Sequence, residues 1–461
     1  GFDYDEEGAL VEFRSGAGVS RSVEVDPESW YFRSFRDHLG LETRIDYNDQ
    51  GYPTTTTYPD GTTTVAAYDS FGRRSAWTNR EGDTVAYTYA GESDSLAAKR
   101  YPDSSEETFV YDDEGRLKTA TNASGSTDFE YDAMHRITKV TYPHGHWLSY
   151  TYDSEGRRAT MTDDSGFEVR YRYDALGRFE AITDDSGAPW AEFGYDAYHR
   201  LTEKAFGNGA EASYSYDANS GQLTGITHFD EADEVINKAI YDVDAFGVRH
   251  AKETIDGSVA YEYDKINQLL GQSGAEGEYS FTYDDAGNRV SSESGGVATS
   301  YASNELGQYT SVGDVSYDYD LDGSMIAAQG GGESWNYEYD VAGRLIAFDG
   351  PGLEVEYVYD AMGNRISQIV NGVTTHLLLD PVGDLETVAT IQGGSRRNFV
   401  FTIFGLVGQA SGGARYYYHD DGNFNITEIT DANAEVVNQY RYSPFGTLTF
   451  ENEAVENPFT F

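Results

Sequence analysis

A chain of 461 residues with 79 acidic against 32 basic side chains carries a formal charge of −47, a field that repels phosphate backbones and excludes nucleic acid as a partner. No cysteine is present, so disulfides, thiolate metal sites and thiol nucleophiles are excluded too, while 14% aromatic residues argue against disorder. Turns are made by 50 glycines rather than by the 10 prolines, and tyrosine is abundant at 38 copies.

From the N-terminus onward the chain repeats itself, and that period is read before any single element. The opening stretch, residues 1–60, holds only degenerate copies, "YDEEG" (4–8) and "YNDQG" (47–51). Asp69 has the fuller local pattern, and from there the repeat runs regularly; the regular region is taken as 61–397. Its anchors, the first residue of each turn, are Asp112, Asp132, Asp153, Asp174, Asp196, Asp217, Asp244, Asp264, Asp284, Asn304, Asp320, Asp340, Asp360 and Asp380. Most lie 20 to 22 residues apart, with a lengthening to 27 between Asp217 and Asp244 and a shortening to 16 between Asn304 and Asp320. "DPVG" at 380–383 falls on this phase and reads as one more hairpin turn. Residues 398–461 form a final segment, which opens with "FVFTIFGLV" (399–407), about half the length that would span a bilayer. The chain starts on Gly1 with no signal peptide in view, and reads as a piece of a longer polypeptide.

Each part of the unit has a physical reason. Aromatics alternate before the anchor, as in Tyr150/Tyr152, Tyr171/Tyr173, Tyr214/Tyr216, Tyr261/Tyr263, Tyr337/Tyr339 and Tyr357/Tyr359. A period of two predicts strands, with each pair on one face. The aspartate then opens a turn by accepting backbone N–H groups two residues on. Glycine at the fourth position supplies the positive φ that closes a type I turn with a bulge. The turn residues are Asp112 with Gly115, Asp153 with Gly156, Asp174 with Gly177, Asp284 with Gly287, Asp340 with Gly343, and Asp360 with Gly363. Where the glycine is replaced, His135, His199 and Asn267 stand in, residue types that tolerate the left-handed region. A second strand ("RITKVT", "RFEAIT") and a second turn such as "DDSG" (163–166, 184–187) complete a β-hairpin of about twenty residues.

The predicted fold is all-β: stacked hairpins in one long antiparallel sheet, coiled into a hollow spiral shell. Fourteen repeats of two strands extend for roughly 130 Å. A sheet that long must coil as its twist accumulates, and no helical layer covers its apolar face. A ring of that circumference is about 40 Å across, wider than a packed barrel. Strands of about six residues make each winding only ~20 Å tall. The segment therefore reads as an incomplete container, which needs further chain, neighbouring domains or other copies to close.

The Tyr-Asp-x-x-Gly-Arg-Leu unit resembles the YD repeat of bacterial Rhs proteins, of the C component of insecticidal Tc toxins and of the teneurin shell. "YYYHDDGNFNITEITDANAEVVNQYRYSPFG" (416–446) with "NPFTF" (457–461) is similar to the stretch leading into the Rhs-associated core. The core itself, the Asp-Pro-x-Gly self-cleavage element and a variable C-terminal domain would lie beyond. The resemblance implies a non-enzymatic shell segment of a large secreted or cell-surface protein, encapsulating a C-terminal, toxin-like domain. Its implied partners are that enclosed domain or other domains of the same chain, together with possible self-assembly. The rival reading is a teneurin-like surface adhesion or fibre scaffold, and a third, a self-processing protease, would need residues beyond Phe461.

No catalytic, cofactor or metal residue is assigned. His144 and His146 in "PHGHW" supply two imidazoles without a third ligand marked by spacing, and read as a loop. "DLDGS" (320–324) resembles the start of a calcium loop but has Gly331 where a bidentate glutamate is needed. Asn122 and Asn425 sit in glycosylation sequons. The tyrosine ladder could stack sugars, but cross-strand packing accounts for it without a ligand.

Overall fold

The computed structural model describes residues 2–4, 8, 10–14, 20–37 and 39–459. Asp5, Glu6 and Glu7 of the first degenerate repeat, and Thr460 and Phe461 of "NPFTF", lie outside the described residues. Among those described there are 44 strands of 3 to 9 residues and no helix. None of the described residues form a helix long and apolar enough to cross a membrane. The chain gathers into two compact units, each drawing on early and late stretches of sequence. The first takes in residues 1–128, 263–268 and 280–373, and the second 129–262, 269–279 and 374–461.

Within each unit every strand pairs antiparallel with its neighbour in sequence, so the sheet is a chain of hairpins. Trp147–Tyr152 pairs with Arg158–Asp163 through Tyr150↔Met161 and Thr151↔Thr160, and the register slips by one residue just before Tyr152. The same slip precedes Tyr111, Tyr173, Tyr216, Tyr339 and Tyr359. It is the bulge that a three-residue turn with a left-handed closing residue imposes. Alternation along Glu168–Tyr173 buries Val169 and Tyr171 and exposes Arg170 and Arg172.

The irregular spacings are absorbed locally. In the 27-residue interval, the turn after Asp217 takes one extra residue, its closing bond running to the Gln222 carbonyl, and the following strands Leu223–Phe229 and Val235–Val243 are long. In the 16-residue interval, Tyr309–Val312 is only four residues and joins Val315–Tyr319 through Gly313 and Asp314 alone. "DPVG" departs from the expected turn. Asp380 N–H reaches the Glu386 carbonyl, so the loop is two residues longer than its counterparts. Its left-handed residue is Leu385 (φ 62°), and Gly383 is not in that region.

Inside each unit the sheet also comes back against itself. In the first, Asn79 Nδ2 donates to Asp322 Oδ2 (2.5 Å) and Leu321 N–H to Glu81 Oε1 (2.7 Å), across some 240 residues. In the second, the Tyr142 hydroxyl donates to the Leu379 carbonyl at 2.7 Å, 237 residues on. Partners that meet in this way lie 19 to 23 strands apart: His228 and His419 are on the 22nd and 41st strands, Lys204 and Asp420 on the 20th and 41st, Asp163 and Asn398 on the 16th and 39th.

Candidate functional site

Two sets of contacts give the sheet its form: those that lock one hairpin to the next, and those that seal one winding to another. The first are built on the repeated turn. Asp153 Oδ1 accepts the N–H groups of Glu155 (3.0 Å) and Arg157 (2.9 Å), and Asp153 Oδ2 accepts Arg157 Nε at 2.7 Å. The carboxylates of Asp112, Asp174, Asp284, Asp340 and Asp360 hold their turns with the same pair of backbone bonds. Gly115, Gly156, Gly177, Gly287, Gly343 and Gly363 have φ between 75° and 92°, and His135, His199 and Asn267 between 64° and 68°. The backbone N–H of Arg136 and then its side chain hold the Asp132 carboxyl below its ordinary range.

The arginine does more than close its own turn. Arg136 lies 4.2 Å from the ring centre of Tyr152, Arg178 4.3 Å from that of Tyr195, and Arg200 4.6 Å from that of Tyr216. Each tyrosine belongs to the following repeat. Its hydroxyl generally reaches back to the carbonyl just after that arginine: Tyr152 to Ile137 (2.6 Å), Tyr216 to Leu201 (2.7 Å), Tyr359 to Leu345 (2.7 Å). Tyr195 is an exception, its buried hydroxyl having no partner. Of the aromatic ladder, Tyr150 and Tyr171 are buried, while Tyr152, Tyr173, Tyr214, Tyr216, Tyr261, Tyr263, Tyr337, Tyr339, Tyr357 and Tyr359 are half-buried.

The second set, the seam, is rich in buried charge. Asp380 is 2% exposed, accepts the Tyr150 hydroxyl at 2.8 Å and pairs with Arg158. Asp163, equally buried, takes Arg396 and Asn398 Nδ2 (2.6 Å) from the later winding. Arg415 pairs with Asp184 and lies 4.4 Å from the ring centre of the wholly buried Trp190. Lys204, with no exposed surface, meets Asp420 at 3.2 Å. Burial works to lower the Lys204 pKa, but Asp420 and Tyr214 together outweigh it and hold the ammonium charged. In the first unit Arg344 reaches Glu107 at 3.2 Å. At the C-terminal end Phe459 packs edge-on against Phe399 and Phe401, and Asn457 Oδ1 accepts the Tyr418 hydroxyl.

The residues weighed as possible ligands are drawn into this seam. His144 Nε2 donates to the Leu377 carbonyl (3.1 Å), His146 Nδ1 meets Asp164 at 2.7 Å, and His376 adds a third ring 4.9 Å from His144. Among the described residues no group of three or more His, Cys, Asp or Glu is arranged to hold a metal. Asp322 of "DLDGS" accepts Asn79 Nδ2 and the Arg80 N–H (2.7 Å), and Asp320 the Ser324 N–H. Both sequon amides are engaged, Asn122 with the Tyr359 carbonyl and Asn425 with Asp421, each at 3.0 Å. Sequence reasoning missed Lys204, Arg158 and Arg396, because the partner that explains each lies more than 200 residues away.

The arrangement has counterparts among known proteins. The teneurin YD-shell family profile matches residues 238–459, and the RHS repeat profile matches 111–146, 152–189 and 195–232. No curated protein matches the sequence. Among solved structures, the chain is similar to one in a Photorhabdus luminescens Tc holotoxin pore, at TM-score 0.70 and 14% identity, over 98% of this chain and 27% of that one. A crystal structure of TcdB2-TccC3 matches at TM-score 0.71 and 15% identity, over 98% and 29%. The complex TcdB2-TccC3-Cdc42 matches at 0.71 and 14%, over 98% and 28%. The chain thus spans less than a third of the length of these three solved chains.

Proposed function

Since the chain belongs to the YD-repeat shell family, that of Rhs proteins, Tc-toxin C components and teneurins, we propose that it is a non-enzymatic shell segment of a larger secreted or cell-surface protein, and that the shell keeps an enclosed, toxin-like C-terminal domain away from solvent. The observation that carries this reading is the seam. A scaffold that only displayed hairpins would not need Lys204, Asp380 and Asp163 buried between windings. Charged pairs that lose their water need full pairing, and they have it here. The seam thus joins the windings into a wall rather than leaving a loose ribbon. In this reading residues 1–60 begin the wall, 61–397 form its regular courses, and 398–461 lead toward the enclosed chain.

The test is protection. A protease-sensitive reporter domain is fused after Phe461 of the whole protein, or inserted in place of its native downstream domain. Enclosure predicts that the reporter survives a protease that digests the free reporter within minutes. Digestion at the free rate overturns the proposal.

One observation favours the adhesion reading as a second function of the same wall. The third turn position carries large apolar side chains turned to solvent: Leu176 is 65% exposed, Tyr198 79% and Phe246 90%. Leu176 and Tyr198 stand on successive turns along one edge, about 10 Å apart, with Phe246 two turns further on, and the three form a row that a partner can engage. Replacing all three with serine should abolish surface binding and leave reporter protection intact.

A further inference from the structure

In the second unit, two imidazoles from different windings face each other with no water-exposed surface to spare. His228 lies on Leu223–Phe229 and is 1% exposed; His419 lies on Ala414–Asp420 and is wholly buried. Their Nδ1 atoms are 3.1 Å apart. The neighbours fix where the protons are. His228 Nε2 lies 2.8 Å from the Asp420 carbonyl, which can only accept, so Nε2 carries a proton. In a neutral ring its Nδ1 is then the acceptor, and His419 Nδ1–H donates to it. His419 Nε2 is left to accept the Thr430 hydroxyl at 2.9 Å, and Thr430 Oγ1 in turn accepts Asn208 Nδ2 at 3.0 Å. The whole line, Asn208 to Thr430 to His419 to His228 to the Asp420 carbonyl, crosses between windings 191 to 222 residues apart and has one proton per ring.

We propose that this neutral imidazole pair is an acid-labile latch on the seam, holding the windings together at neutral pH and releasing them here when the rings take up protons. A first added proton, taken at His419 Nε2, creates a buried cation near the Lys204 ammonium and turns the Thr430 bond round, so that Nε2–H now donates to Oγ1. A second sets N–H against N–H, and the link is lost. The charged groups facing the pair do not relieve this. The Asp420 carboxylate is taken by Lys204, beside Tyr214. Glu428, opposite His419 in register, pairs with Arg441 at 2.8 Å, and Arg441 also with Asp256 at 2.6 Å. Burial, more than any neighbour, pushes His228 down to about 4 and His419 well below its ordinary value. Because the closed form resists protons that the open form binds from an ordinary value of 6.5 downward, the closed state loses ground as pH falls from about 6.5 toward 4. Glu428 works the other way: burial raises it to about 7, so its uptake of a proton favours the closed form and offsets one histidine. The second histidine leaves a net release. The latch does not depend on what the shell encloses.

Hydrogen exchange on the whole chain tests it, with intrinsic rates corrected for pH. Opening of peptides from 223–229 and 414–430 should rise on the order of tenfold or more between pH 7 and pH 5, while peptides from Thr84–Tyr89 stay unchanged. His228→Gln, which keeps an amide donor and acceptor but cannot take a proton, should flatten the pH slope of opening by about one proton. Equal protection at the two pH values in the unaltered chain, or an unaltered slope in the variant, overturns the latch. If the variant does not fold, the titration of the unaltered chain decides alone: net proton uptake on opening supports it, and none overturns it.

Discussion

The guanidinium of Arg157 lies 4.5 Å from the ring centre of Tyr173, and the Tyr173 hydroxyl donates at 3.0 Å to the carbonyl of Arg158. Tyr173 thus holds the preceding repeat twice, by a cation–π contact and by a hydrogen bond. Tyr173→Phe should keep the first and lose the second, at a cost of about 0.5–1.5 kcal/mol. A double-mutant cycle of Arg157→Ala with Tyr173→Ala should return a coupling of about 0.5–1 kcal/mol. Urea unfolding measures both; zero coupling would mean that the ring and the guanidinium are merely adjacent.

Gly177 has φ 81° and lies beneath the same arginine, Arg157 Nη1 standing 3.5 Å from where a Cβ would be. Gly177→Val should lose about 1–2 kcal/mol, and Gly177→Asn much less, since asparagine tolerates the left-handed region. The damage should stay within neighbouring hairpins, because repeats contact mainly their neighbours. Equal loss from both substitutions would show that crowding, not φ, is the constraint.

Removing Asp380 should be the more severe change. Asp380→Ala leaves the Arg158 charge and the Tyr150 hydroxyl buried without their partner, a loss of roughly 3–5 kcal/mol. The double replacement Asp380→Leu with Arg158→Met removes both charges and should recover most of it. Exchange protection at 148–160 and 376–390 reads the effect on both windings at once.

Acid should act on the turns only after it has acted on the seam. The Asp132 carboxyl is held below its ordinary 3.8 by the backbone N–H and side chain of Arg136. A depressed carboxylate contributes stability that is present above the unfolded value and lost as pH falls through the folded one, so the turns weaken only below about pH 4. Far-UV circular dichroism should therefore stay β-like from pH 7 to 4 and decay beneath that. Loss of β signal already at pH 6 would contradict this order.

What the sequence makes legible is what lies within one hairpin. Strand alternation at Tyr171 and Tyr173, the aspartate that opens the turn and the residue that closes it sit within a few positions of one another, so local sterics and one carboxylate write them directly. The "DPVG" loop escapes that logic: Pro381 follows Asp380 and the left-handed residue shifts to Leu385, with Asp380 itself committed to Arg158 across the seam. The seam was illegible for a plainer reason. Which turn meets which depends on how many strands complete a winding, and no local pattern carries that count. The burial of Lys204 beside Asp420 follows from that count and from nothing near either residue.

The same count restricts how such a protein can change in evolution. Repeat arrays ordinarily grow by duplicating a unit, because a new unit contacts only its neighbours. Here one added hairpin between Tyr150 and Asp380 would slide every later turn past its mate. Arg396 would leave Asp163, Arg415 would leave Asp184, and Lys204 would be left facing something other than Asp420. The wall behaves like a threaded screw, in which a tooth cannot be added without stripping the thread. Length changes of one repeat should be purged within a winding, and related sequences should differ there in loops and side chains but agree in repeat number.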